Sequence, residues 1–148
     1  MAAGRAEAEQ WGLPNARFEL QDVATLDAPE QFDLITAMDA IHDQAKPRTV
    51  LQVIYRSLRP GGTYLMGDVR AATNLQDNIG QPLAPYLFLW SLTYCMSLSL
   101  AQGGEGLGAM WGEQRALEYL AEAGFSAVEV RRPEGDVINS YFVCRKPS

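Results

Sequence analysis

The chain carries one histidine, and its neighbours decide what it can do. His42 is followed at once by Asp43 and preceded by Asp39 in the same stretch, and Asp68 closes a later apolar run. An imidazole titrates near neutrality and carboxylates are charged there, so these four groups, if gathered in one place, are the best candidate for a functional site in the chain. The competing reading is a loop histidine that caps a helix or shapes a pocket wall, with Asp68 capping whatever follows it. The choice depends on the elements that carry the four groups.

Phe32-Asp33-Leu34-Ile35-Thr36-Ala37-Met38 reads as a short apolar strand running out into the polar loop of Asp39, His42 and Asp43. Val50, Leu51, Ile54 and Leu58 then fall on one helical face, with Pro47 in the first turn, where its missing N–H costs nothing. Arg59-Pro60-Gly61-Gly62 stops that helix, and Thr63 to Val69 is a second strand ending at Asp68. Strand, crossover helix and strand make a βαβ unit with a parallel pair. Ligands collect beyond the carboxyl ends of parallel strands, so Asp39, His42, Asp43 and Asp68 are expected on one rim.

The remaining segments place this unit in a larger α/β sheet. Ala2 to Gly12 reads as helix, stopped by Gly12 and Pro14. Ala16 to Val23 alternates, with Phe18 and Leu20 on one face, and reads as a strand ending at Asp22. Arg70 to Pro82 is a polar connection or short irregular helix, and Pro85 to Ala101 is an uncharged, bulky helix, either buried or a lid over an apolar pocket. Gly103 to Gly108 lacks a preceding strand and a following Lys-Ser or Lys-Thr, so it reads as a hinge or close-packed loop rather than a phosphate cradle. Gly112 to Ala123 is an amphipathic helix with Leu117, Leu120 and Ala121 expected inward and Gly124 as its left-handed stop. Ser126 to Arg132 and Ser140 to Lys146 close the chain as an antiparallel hairpin. The expected fold is a single α/β domain over residues 1–148, with 83–110 as a helical insertion covering the substrate.

Composition narrows the function classes. The 148 residues are 47% hydrophobic, the apolar share of one globular domain, and the net charge of −6 disfavours a nucleic-acid surface. The two cysteines, Cys95 and Cys144, have no metal-ligand spacing and no disulfide framework, so a reducing compartment and no metal are expected. The N-terminus has no apolar core of a signal peptide, and Pro85 to Ala101 falls short of the ~20 residues of a membrane span. A cytoplasmic protein is the resulting expectation.

Four motifs in order resemble class I S-adenosylmethionine-dependent methyltransferases: Asp22-Val23 after a strand, Phe32-Asp33-Leu34-Ile35 into a polar loop, Leu58-Arg59-Pro60-Gly61-Gly62 before a strand, and Glu118 to Phe125 before the terminal hairpin. The segment Ser97 to Glu113 with Asn139 to Val143 is similar to the branch that carries a winged-helix domain ahead of the catalytic one. The resemblance implies a Rossmann-like methyltransferase sheet, S-adenosyl-L-methionine as cofactor and a small-molecule acceptor. It gives Asp22 the adenine amino group, Val23 the ring face, and Ala37, Met38 and Asp39 the loop flanking the methionine part of the cofactor. It makes His42 the general base, oriented by Asp68 and, more loosely, by Glu113. A plain turn-forming aspartate is the other reading of Asp22.

The resemblance is incomplete at one end. The family's glycine-rich cofactor loop, its first two strands and its ribose-binding acid have no counterpart in the sequence, and Gly104-Glu105-Gly106-Leu107-Gly108 follows a helix rather than a strand. The expectation is therefore an N-terminally truncated domain, with a bare apolar sheet edge able to pair with another chain or a second copy. Two functions follow: methyl transfer to a small molecule by the complete site, or a non-catalytic methyltransferase-like module that pairs through that edge. A nicotinamide reductase is disfavoured, because its phosphate-binding fingerprint is missing too.

Overall fold

The computed structural model describes residues 1–148, beginning with helix α1 at Ala2–Gln10. The central βαβ unit forms as expected. Strand β1 (Phe32–Met38) leads into helix α2 (Pro47–Ser57), with Pro47 in its first turn, and strand β2 (Leu58–Val69) returns parallel to β1. Arg59 to Gly62 belong to β2 but break its register, because Phe32 pairs with Leu58 whereas Leu34 pairs with Thr63. Gly61 takes φ +78 in that bulge, a conformation open to glycine.

Beyond β2, a 3-10 turn at Leu75–Asn78 interrupts the polar connection. Helix α3 (Ala84–Trp90) runs through a wider π turn at Ser91–Cys95 into helix α4 (Met96–Ala101). Helix α5 (Glu113–Ala123) ends at Gly124, whose φ of +117 makes the left-handed cap. Strands β3 (Val128–Arg131) and β4 (Asn139–Arg145) form the antiparallel hairpin, and β4 inserts beside β2 to give the order β1-β2-β4-β3.

One face of this sheet makes the core. Leu51, Ile54 and Leu58 meet Tyr64 and Met66 of β2, Phe142 and Cys144 of β4, and Tyr119, Leu120 and Ala123 of α5. Each fully buried leucine there is worth about 1.5–3 kcal/mol of transfer free energy. Phe125 closes the cluster, edge-on to Tyr55 and stacked on Tyr64. Arg48 locks α2 to α5 from outside: it pairs with Glu105 and Glu122 at 2.7 Å and lies 3.8 Å from the centre of the Tyr119 ring.

Three sequence expectations need correction. Ala16 to Val23 forms no strand. β1 is the edge of the sheet and pairs only with β2, so the segment finds no ladder; instead Arg5 donates to the Phe18 carbonyl, and Phe18 packs over Gly4 of α1. In α5 the inward residues are Ala116, Tyr119, Leu120 and Ala123, whereas Leu117 and Ala121 face solvent. The helical phase is rotated because Tyr119 is drawn inward between Trp111 and the Arg48 guanidinium. The helix over 84–101 is not buried: Ala84, Leu87, Ser91, Cys95 and Ser99 face inward with Phe88 half-buried beside them, while Tyr86, Leu89, Trp90, Leu92, Tyr94, Leu98 and Leu100 are exposed.

That 18-residue helical stretch, of mean hydropathy 1.2, is long and apolar enough by composition to cross a membrane. Its inward side is nevertheless fastened to the domain. Ser99 Oγ donates to the Gln44 carbonyl at 3.1 Å and accepts from the Gly106 amide at 3.2 Å, and Ser91 Oγ accepts from the Met110 amide. The glycine run is the close-packed loop foreseen from sequence: a Cβ at Gly104 would strike Ala45 and Ser99, and one at Gly108 would overlap Ser91 and Met96.

Candidate active site

The carboxyl ends of β1 and β2 bring the expected acids and the histidine together. Asp39 caps β1 with its amide donating to the Gly67 carbonyl at 3.0 Å, and it turns the chain at φ +46. A left-handed turn is uncommon for a side chain other than glycine, and aspartate is among the residues that tolerate it. Gly67 permits this end of the pair to close, since a Cβ there would strike Met38 Sδ. The reversal sends the next residues back across the strand ends and buries Ile41 and His42.

His42 is 4% exposed and Asp68 1%. With Asp68 ionised, His42 Nδ1 donates to its Oδ1 at 2.7 Å, and the same oxygen accepts from the Val69 amide at 2.8 Å. This hydrogen bond fixes the tautomer: the proton sits on Nδ1 and the lone pair on Nε2. Asp68 Oδ2 is buried without a hydrogen-bond partner. Asp43 Oδ1 stands 3.5 Å from Nε2 and also lacks a hydrogen-bond partner.

The electrostatics favour a strong base. Burial pushes the imidazole towards its neutral form, but the hydrogen bond and charge of Asp68, followed by the charges of Asp43 and Asp39, outweigh it and raise His42 above its ordinary value. Asp39 is raised by desolvation first and by the like charge of Asp68 second. Cys95, from the π turn of the exposed helix, reaches the same place: burial, then the neighbouring Asp43 carboxylate, pushes its thiol up to about 11.

The other predicted residues lie apart from His42. Glu113 pairs with Arg132 and with the hydroxyl of Ser140, and it lines a polar cavity of about 330 Å³ with Arg70 and Gln114. Ser140 is the β4 residue opposite Asp68, so Glu113 sits one strand beyond the pair. Asp22 caps the 3-10 turn Val23–Thr25 by accepting from the Ala24 amide at 2.9 Å. Val23 lines an apolar cleft of about 260 Å³ with Phe32, Leu34, Ile35 and Ile54. That cleft opens on the first half of β1, whereas Ala37, Met38 and Asp39 occupy its far end, about 13 Å on from Leu34 at the rise of a strand. The structure therefore divides the five expected cofactor residues into two groups.

Cys95 was missed by sequence reading, because its position beside Asp43 depends on how the 84–101 helix docks and no local spacing encodes that.

A parallel βαβ unit, helices on the core face and an antiparallel terminal hairpin are the features that the class I methyltransferase resemblance implies for this part of the sheet. Comparison with known proteins agrees. A family model described as methyltransferase domain matches residues 2–124, and the chain belongs to that family. Among solved structures, it is similar to an O-methyltransferase family protein from Burkholderia thailandensis (TM-score 0.72, 18% identity), covering 99% of this chain and 41% of that one. It also resembles a protein from Bacillus halodurans C-125 assigned to the methyltransferases (TM-score 0.71, 18% identity, 99% and 78% covered). The S-adenosylmethionine-dependent methyltransferase SibL in its apo form gives a TM-score of 0.67 at 20% identity, with 99% and 40% covered. The chain thus spans under half the length of the Burkholderia protein and of SibL. No curated protein matches the sequence with significance.

Proposed function

We propose that this domain takes part in S-adenosylmethionine-dependent methyl transfer to a hydroxyl group of a small molecule, with His42 as the general base and Asp68 as its positioning residue. The observation that carries the reading is the buried 2.7 Å hydrogen bond from His42 Nδ1 to Asp68, which leaves the Nε2 lone pair to accept the acceptor's proton. The donor set at the rim suits the cofactor's methionine end: Asp39 offers a carboxylate to its ammonium group beside the apolar Ala37 and Met38. Asp22 and Val23 keep the adenine role through the family resemblance.

The bound cofactor supplies an electrophilic methyl group, and the residues of this chain do the rest. His42 Nε2 takes the hydroxyl proton as the acceptor oxygen attacks, and Asp68 stabilises the imidazolium that forms. The 83–110 segment covers the acceptor, a role supported by Cys95 reaching Asp43 beside the base. Both cysteines are free, which fits a reducing, cytoplasmic setting. The family match favours this reading over a non-catalytic module.

Thermal unfolding of the chain with and without S-adenosylmethionine tests the cofactor half of the proposal. Ligand at a hundred times its dissociation constant adds about 2.7 kcal/mol and raises the midpoint. An unmoved midpoint at millimolar cofactor would refute binding by this domain. Methyl transfer to a phenol panel, with His42→Gln reducing turnover by roughly 10²–10⁴, tests the base.

A further inference from the structure

His42, Asp43 and Cys95 converge from two parts of the chain that the sequence leaves unrelated. Their ligand atoms, an imidazole nitrogen, a carboxylate oxygen and Sγ, all lie within 4.8 Å of one another. His42 and Cys95 are 4% and 7% exposed. Two observations show that ordinary hydrogen bonding does not use up this arrangement. Asp43 Oδ1 is buried without a hydrogen-bond partner, and His42 Nε2 faces it at 3.5 Å, at the outer limit of a hydrogen bond. Two nitrogen or oxygen ligands on one tetrahedral zinc ion, each about 2.0–2.1 Å from the metal, stand roughly 3.3 Å apart, close to the spacing seen here.

The group behind the histidine completes the pattern. Asp68 accepts from Nδ1 and thereby aims the Nε2 lone pair at Asp43 and Cys95, the carboxylate–histidine arrangement that orients imidazole ligands in metal sites. From this geometry we infer that His42, Asp43 and Cys95 form an inhibitory binding site for zinc or a similar borderline-soft divalent cation.

A nitrogen, a carboxylate and a sulfur select zinc or cobalt over magnesium and calcium, which take oxygen ligands. Three protein ligands leave the fourth tetrahedral position open. Binding releases the proton of the Cys95 thiol and, wherever His42 is protonated, the imidazole proton on Nε2, so it strengthens as pH rises. The site is distinct in chemistry from the methyl-transfer reading but shares His42 with it. A metal on Nε2 occupies the lone pair that removes the acceptor's proton, so the inhibition rests on that reading, while the binding does not.

Cobalt(II) titration of the whole chain tests the binding. The expected result is one equivalent bound, with tetrahedral visible bands and a near-ultraviolet sulfur-to-cobalt charge-transfer band, both abolished by equimolar zinc. Cys95→Ser should lose the charge-transfer band, and Asp43→Asn should weaken binding by roughly tenfold or more. Cooperative unfolding of each variant, followed by circular dichroism, shows that the comparison is between folded proteins. If wild-type protein shows no charge-transfer band, or if the band survives in Cys95→Ser, the site is overturned; survival would assign the sulfur to Cys144, the other cysteine. Methyl transfer without cobalt binding would defeat this inference alone, and cobalt binding by a protein with no methyl transfer in metal-free buffer would defeat the functional reading and the inhibition but leave the metal site.

Discussion

Asp68 and His42 leave the sheet from neighbouring strand ends and meet at 2.7 Å with almost no water contact. A buried carboxylate beside a buried imidazole is costly to build, because both groups give up hydration. The fold offsets that cost with a second donor to Asp68, the Val69 amide, and with the charges of Asp39 and Asp43 around the ring. The arrangement suits a base whose charged form must be stabilised during turnover.

Asp68→Asn separates this role from plain packing. The amide keeps the side-chain shape but loses the charge that holds His42 above its ordinary value. The acidic limb of the pH–rate profile should move to lower pH, and turnover at its plateau should fall by roughly 10² or more, because a weaker base with an unfixed tautomer remains. An unmoved limb in a folded variant would remove Asp68 from the mechanism.

Stability should fall as pH rises above neutrality. The folded state holds the His42 proton more tightly than the unfolded chain, whose imidazole titrates near 6.5. The stabilisation is complete below 6.5 and is lost as pH passes through the raised folded value, with a slope of at most about 1.4 kcal/mol per pH unit. A second decline begins above the ordinary thiol value of 9, since burial holds Cys95 up at about 11, with Asp43 adding to it, and Cys144 up at about 12. Urea unfolding between pH 6 and 10 measures both. His42→Gln should abolish the first decline and leave the second.

Much of the site was legible because it lies on local patterns. Period and punctuation locate β1, α2 and β2, and the parallel-strand rule then places His42 and Asp68 on one rim. Local pattern failed where partners decide the outcome. Phe18 and Leu20 alternate as a strand should, yet alternation has no consequence without a neighbouring ladder. The apolar run at 84–101 carries no sign of which side docks, and its inward residues are largely the small Ala84, Ser91, Cys95 and Ser99 rather than its aromatics. Asp22 keeps its expected turn, and the 3-10 turn it caps settles against the first half of β1.

The corrected phase of α5 makes a direct comparison possible. Leu120 is fully buried in the core, whereas Leu117 is 37% exposed. Leu120→Ala should cost about 2–5 kcal/mol through lost burial and a cavity that α2 cannot close. Leu117→Ala should cost about 1 kcal/mol or less. Chemical denaturation of the two variants gives both values, and equal losses would restore the phase read from sequence.

Gly112 is the position where the backbone leaves least room. It sits at φ +85 ahead of α5, and a Cβ there would overlap the Thr73 amide nitrogen and crowd the Ala72 carbonyl carbon, so the obstacle is main chain that cannot rotate away. The approach joins two segments by a set of hydrogen bonds: the Glu113 amide donates to the Ala71 carbonyl at 2.9 Å, the Thr73 amide donates to Gln114 Oε1 at 2.8 Å, and Thr73 Oγ1 accepts from the Arg115 amide at 3.1 Å. Thr73 thereby serves as a cap for α5 from a distant part of the sequence. Gly112→Ala combines an unfavourable backbone conformation with this overlap, and a loss above about 2 kcal/mol is expected. Thr73→Ala removes the cap together with the hydrogen bond from its hydroxyl to the Trp111 carbonyl, and should cost about 1–2 kcal/mol. A Gly112→Ala variant as stable as wild type would mean that the 71–73 segment does not lie against the start of α5.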